Sequence, residues 1–352
     1  MPSLTQKHLS PLINWNPPEK LQKLKTIDAH TAGEPLRIIL EGLPEIKGGT
    51  ILEKRKYMKE NFDHLRTELM FEPRGHADMY GAIITEPENE TSDFGVLFLH
   101  NEGYSTMCGH GIIAITKVLV QTGCVEAKEP ITEIKIDTPA GLVRSFARIN
   151  KGHIDSVYFH NVPSFVLTTG QFINVQGIGT VKYDIAFGGA FYAFVNADLF
   201  NIDMSEENFR ELIEKGMAIK KAVMKSYPIE HPSTEELNFL YGTIFYGKAH
   251  SKDADSRNVC IFAQGEVDRS PTGTGVSARM ALHFAKGEIG LNQQMVIESI
   301  IGTKFTGSVI ETSTFGEYDS VIPRIEGNAY ITGKNEFLID PEDPLKGGFI
   351  LR

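Results

Sequence analysis

Met107-Cys-Gly-His-Gly111 places a thiol at the head of an apolar-periodic run that closes at Gly123. Such a run begins a helix, whose first-turn backbone N–H groups have no partner inside the helix and whose dipole is positive at that end. A thiol held there is drawn toward neutrality in pKa, with His110 able to assist when charged. Cys108 is therefore a candidate base. The chain has two other cysteines, Cys124 and Cys260, and the three form neither a disulfide framework nor a metal spacing. Cys124 follows a helix-ending glycine and Cys260 lies in the apolar run 259–263, so both read as small side chains packed as hydrophobes.

The same pattern occurs a second time. Thr272-Gly-Thr-Gly-Val-Ser-Ala278 opens a run closing at Gly287, and an offset of 164 positions (108 to 272) superposes glycines 109/273, 111/275 and 123/287. Upstream, Asp28-Ala-His-Thr-Ala-Gly33 precedes one copy and Asp184-Ile-Ala-Phe-Gly-Gly189 the other. An ordered set of strand, helix-opening glycines and helix-closing glycine indicates a duplicated half. If the halves face each other, two helix N-termini converge on one cleft. Their N–H groups suit a small carboxylate, and glycines without Cβ let it approach the backbone. Thr272, the counterpart of Cys108, is not ionised near neutral pH, so it is no second base; it can cap the helix, donate to an anion or hold a water. Asp268 lies four residues before it. A carboxylate beside an anion site makes sense when the ligand also carries a positive charge, as an amino or imino acid does.

The elements that must position these residues are mostly strands. Segments 35–40, 77–85, 95–100, 131–137, 156–161, 191–196, 241–246 and 259–263 have strand character, and 112–121, 209–226 and 276–286 helical character. Many short strands and few helices predict an α+β fold, with a sheet wrapped round one long helix per lobe. Neither Gly-x-Gly element has the G-x-G-x-x-G spacing or a βαβ context, which excludes a dinucleotide-binding fold.

At 352 residues the chain is long enough for two domains. A net charge of −10 without a lysine or arginine block argues against nucleic acid as a partner. No apolar run has the length of a membrane span, and the polar, proline-punctuated N-terminus has no signal-peptide core, so no membrane association and a reducing, cytoplasmic setting are expected. His30, His76 and His160 are read as structural, 137–141 as a turn, and Asp78 as a brace for the loop near it.

Met107-Cys-Gly-His-Gly111 and Asp268-Arg-Ser-Pro-Thr-Gly-Thr-Gly275 resemble the two signature segments of the proline racemase family. Arg74-Gly-His-Ala-Asp-Met-Tyr-Gly81, Asp137-Thr-Pro-Ala-Gly141 and Asn161-Val-Pro-Ser-Phe165 resemble further blocks, and the likeness runs from about Ile27 to the C-terminus. It implies a diaminopimelate-epimerase-like fold of two pseudo-symmetric lobes, without cofactor or metal. The expected lobes are 22–160 joined by 335–352, and 161–334, with an extension at 1–21. By position, the resemblance makes Cys108 the proton acceptor, assigns Gly109, His110, Gly273 and Thr274 to the substrate carboxylate, and assigns Asp268 to the ring nitrogen. Racemases and epimerases of the family use two cysteines. Threonine at the second place, here Thr272, marks the trans-3-hydroxy-L-proline dehydratases, in which the imino acid loses water to give Δ1-pyrroline-2-carboxylate. A proline racemase or hydroxyproline 2-epimerase is the alternative, and a non-catalytic amino-acid-binding protein a second one. A homodimer is the expected assembly.

Overall fold

Two helices begin where the glycine pairs predict, and the strands are arranged around them. The computed structural model describes residues 4–351; positions 1–3 and 352, at the ends of the expected extension and C-terminal segment, lie outside the described residues. In chain order the first part comprises helix α1 (Leu4–Ile13), strands β1 (Gln22–Thr31) and β2 (Glu34–Glu41), and helices α2 (Ile51–Asn61) and α3 (Asp63–Met70). Strands β3 (Tyr80–Thr85), β4 (Phe94–His100) and β5 (Gly103–Ser105) lead to helix α4 (Gly109–Gln121), then β6 (Ile131–Thr138), β7 (Gly141–Asn150), β8 (His153–His160) and β9 (Ser164–Val175). There follow β10 (Gly179–Phe187), β11 (Phe191–Asn196), helix α5 (Phe209–Ser226), and β12 (Leu240–Gly247), β13 (Ser256–Phe262) and β14 (Glu266–Val267). Helix α6 (Gly273–Ala285), β15 (Gln294–Glu298), β16 (Lys304–Phe315), β17 (Tyr318–Gly327) and β18 (Ala329–Ile339) complete the chain.

The fold is mixed α+β, and its strands form one continuous hydrogen-bonded network. The pairing order of β1 to β8 recurs in β10 to β17. In each series the first two strands pair antiparallel, the second and third parallel, the third and fourth antiparallel, and the fourth runs parallel to the strand after the long helix. β18 pairs with β1 and β9 with β10, so each series is completed by the strand that follows the other.

The two long helices are buried almost all round. Ile112, Ile113, Ala114, Val276, Ala278 and Met280 have no exposed surface, and burial of an isoleucine of this kind contributes about 1.5–3 kcal/mol. Each helix ends at a left-handed glycine, Gly123 (φ 76°) or Gly287 (φ 70°), where a side chain would be strained.

Some expected boundaries shift for local reasons. The strand expected from residue 77 starts at Tyr80, because Asp78 adopts φ 65° and breaks the extended run. The strand expected at 156 starts at His153. Helices α2 and α3 were not anticipated, although Thr50 and Glu53 form a capping box at the start of α2. The glycines do not precede the long helices as expected: Gly109 and Gly273 are their first residues, with Cys108 and Thr272 as N-caps.

Candidate active site

The two helix starts meet head to head. A Cβ on Gly109 would lie 2.6 Å from the Cα of Gly273, and one on Gly273 would lie 2.7 Å from the Cα of Gly109. Only glycine fits at both places, and the contact brings the unpaired N–H groups of both first turns to one cavity. The second glycines serve the caps: a Cβ on Gly111 would press on Cys108 Sγ at 2.8 Å, and one on Gly275 on the Thr272 methyl at 3.1 Å.

The cavity between the two helix starts is small. All seven residues singled out in the sequence line it: Cys108, Gly109, His110, Asp268, Thr272, Gly273 and Thr274. Met107, Tyr80, Tyr192, Tyr241, Cys260 and Phe262 complete the wall. Sequence reading missed these six. Tyr80 belongs to a motif read only as a family block, and the other aromatics sit in strands whose facing is set by the sheet. Cys260 does lie buried in a strand, as expected, but it faces the cavity rather than the packed core alone. Cys124 is exposed, contrary to the expectation of a packed side chain, because the end of α4 from Gln121 onward already lies at the surface.

The Cys108 thiol accepts a hydrogen bond from the Gly111 N–H at 3.2 Å and lies 3.3 Å from His110 Nδ1. Burial nevertheless pushes it well above the usual thiol range; the Gly111 N–H pulls it down, and the nearby carboxylates of Asp268 and Glu34 add to the rise. The expectation of a thiol drawn toward neutrality is therefore corrected: desolvation outweighs the helix end. His110 is also corrected. Burial lowers it to about 3, so the imidazole is neutral and offers the thiol no charge.

Thr272 has φ 67° and no side-chain capping bond, so it is not the simple N-cap its position suggested. Its buried hydroxyl has no hydrogen-bond partner of good geometry, yet is close enough to Asp268 and Cys260 to favour their charged forms. Asp268 is buried and accepts from the Ser270 N–H at 2.8 Å; burial raises its carboxyl to about 6 despite that bond. Tyr192 bonds Thr274 Oγ1 at 2.6 Å, fixing the first turn of α6 from the side.

Other candidates lie outside the cavity. His30 Nδ1 accepts from the Gly33 N–H, and His160 is lowered to about 4 by burial. Asp137 accepts from the N–H groups of Glu88 and Asn89 and from Ser92, tying a loop to the β6–β7 turn. Asp78 pairs with Arg269 at 2.7 Å, linking its loop to the Asp268 segment. No described helix is long and apolar enough to cross a membrane.

The profile of the family described as proline racemase matches residues 26–350. A trans-3-hydroxy-L-proline dehydratase of Colwellia psychrerythraea is 50% identical over 96% of this chain and 96% of its own length. A proline racemase of Clostridioides difficile is 42% identical over 94% of this chain and 99% of its own. Among solved structures, a hydroxyproline epimerase from Agrobacterium vitis with bound trans-4-hydroxy-L-proline superposes with a TM-score of 0.89 at 30% identity, covering 95% of this chain and 96% of that one.

Proposed function

The chain belongs to the proline racemase family, and within it we propose a trans-3-hydroxy-L-proline dehydratase that works with one base, Cys108. The observation that carries this reading is Thr272 at the second helix start, a buried hydroxyl where a two-base enzyme needs an ionisable group. Relatives that cover nearly the whole chain include both dehydratases and a racemase, so the chemistry at this position decides between them. Inverting C2 needs a base on one face and an acid on the other. Eliminating water needs one base, because loss of the C3 oxygen replaces reprotonation at C2.

The imino acid fits the charges lining the cavity. Its carboxylate is met by the free first-turn N–H groups of Gly109 and His110 in α4 and of Gly273 and Thr274 in α6. Its protonated ring nitrogen pairs with Asp268. That cation offsets the negative charges of Asp268 and Glu34, which add to the rise that burial causes in the Cys108 thiol, so substrate binding favours the thiolate. The thiolate takes the C2 proton; the electron pair moves toward the carboxylate, where the backbone donors stabilise it. The C3–O bond then breaks as the oxygen takes up the proton that Cys108 removed, directly or through a neighbouring hydroxyl, and it leaves as water while Cys108 returns to the thiolate. The resulting enamine tautomerises to Δ1-pyrroline-2-carboxylate.

Two pseudo-symmetric lobes in a diaminopimelate-epimerase-like arrangement, 22–160 with 335–352 and 161–334, are part of the proposal. Its support is the recurring strand order and the pairing of β18 with β1 and β9 with β10. The test is a panel of proline and hydroxyproline isomers assayed for pyrroline carboxylate. Trans-3-hydroxy-L-proline alone is expected to react, and Cys108→Ser to lose at least about 1000-fold of the rate, since a serine hydroxyl is too weak a base. Racemisation of proline, or epimerisation of 4-hydroxyproline, at a comparable rate would refute the reading.

A further inference from the structure

One wall group sits between two further hydroxyls beside Cys108, and nothing in the mechanism above uses it. The Tyr80 hydroxyl lies 2.5 Å from Ser105 Oγ and 3.2 Å from the Tyr241 hydroxyl, and all three residues are buried. Either hydroxyl of the Tyr80–Tyr241 pair can be the donor, and Tyr241 is placed to donate to a Tyr80 phenolate. The Ser105 hydroxyl is placed to do the same. When both neighbours donate, the Tyr80 oxygen accepts twice and has its single hydrogen left for the cavity. Tyr80 lines the cavity beside Cys108: its ring packs edge-on against His110 at 4.8 Å, His110 touches the Cys108 thiol, and the Tyr80 hydroxyl is near enough to steady a Cys108 thiolate.

In trans-3-hydroxy-L-proline the C2 hydrogen and the C3 hydroxyl lie on the same ring face. A thiolate reaching C2–H therefore has the C3 oxygen on its own side, where a neighbouring phenol is better placed to serve it than the thiol, which is occupied at C2. We propose that Tyr80 is a catalytic acid: its hydroxyl gives its proton to the departing C3 oxygen and takes one back from Cys108. This rests on the dehydratase reading. The balance closes within one turnover. Cys108 sulfur takes the C2 proton, the C3–O bond breaks as the oxygen takes the Tyr80 proton and leaves as water, and the Cys108 S–H returns its proton to the phenolate, restoring thiolate and phenol. Ser105 and Tyr241 carry the brief negative charge on Tyr80. Burial pushes the phenol well up from its ordinary value, so it enters each cycle protonated.

Tyr80→Phe removes the oxygen and keeps the ring, and two rates in D2O separate the steps: pyrroline carboxylate formation, and deuterium entry at C2 of recovered trans-3-hydroxy-L-proline. The expected result is a fall in dehydration of about 100-fold or more, with C2 exchange retained within a few-fold of the rate in the parent enzyme. Dehydration within threefold of the parent would overturn the proposal. So would a parallel loss of both rates in a variant with unchanged circular dichroism, because Tyr80 would then serve the thiolate and not the leaving group. If the parent enzyme racemises proline and forms no pyrroline carboxylate, the dehydratase reading itself has failed, and that result is distinct from either outcome for Tyr80→Phe.

Discussion

Gly273→Ala is the most direct test of the head-to-head helix contact. The new Cβ would stand 2.7 Å from Gly109 Cα and 3.2 Å from its carbonyl carbon, both backbone atoms that no rotamer change can move aside. Ordinary contact begins at 3.4 Å, so the helix starts must separate by about 0.7 Å. The N–H groups that hold the carboxylate ride on those two turns. A displacement near 1 Å in a reacting geometry costs about 100-fold, so kcat/KM is expected to drop by about 30- to 100-fold. Overpacking of this kind also costs about 1–3 kcal/mol of stability, visible as a lowered Tm. The assay is initial pyrroline carboxylate formation against trans-3-hydroxy-L-proline concentration, with a thermal melt on the same sample. Gly287→Ala is the matched control: its left-handed φ of 70° makes a side chain cost about 1–2 kcal/mol, but no atom lies within 4 Å and it is at the far end of the helix. Its Tm should fall with kcat/KM unchanged. A fully active Gly273→Ala, or an equal loss of activity in both variants, would refute the geometric argument.

Asp268, pushed up to about 6 by burial, should impose an acid limb on kcat/KM. Above that pH the carboxylate pairs with the ring nitrogen; below it the carboxyl takes up a proton and the pairing is lost, so kcat/KM falls with falling pH. Asp268→Asn should be weak at all pH values and lack the limb, and a limb that persists in the variant would assign it to another group. His110, lowered to about 3, should contribute no limb between pH 5 and 8. Thr272→Cys would restore a thiol at the second helix start and should convert L-proline to D-proline, measured by chiral chromatography; a folded variant forming no D-proline would show that a second thiol there is insufficient for racemisation.

Much of this site is legible in the sequence, because the rules that fix it are local. Helix starts and stops depend on a few neighbouring residues, so Cys108 at its helix start, the opening glycines and the helix-ending Gly123 and Gly287 were apparent in the chain, whereas the φ of 67° and the unused capping hydroxyl of Thr272 were not. The difference between Cys108 and Thr272 is likewise a fact of sequence, and it carries the functional reading. What only the tertiary structure decided depends on residues far apart in the chain. The contact of Gly109 with Gly273 joins positions more than a hundred residues distant, and Tyr80, Tyr241 and Cys260 reach the cavity because the sheet turns their strands toward it. Burial reversed two local expectations: it raised the thiol that the helix end lowers and kept His110 neutral. Desolvation belongs to the whole packed environment, and no motif of a few residues encodes it.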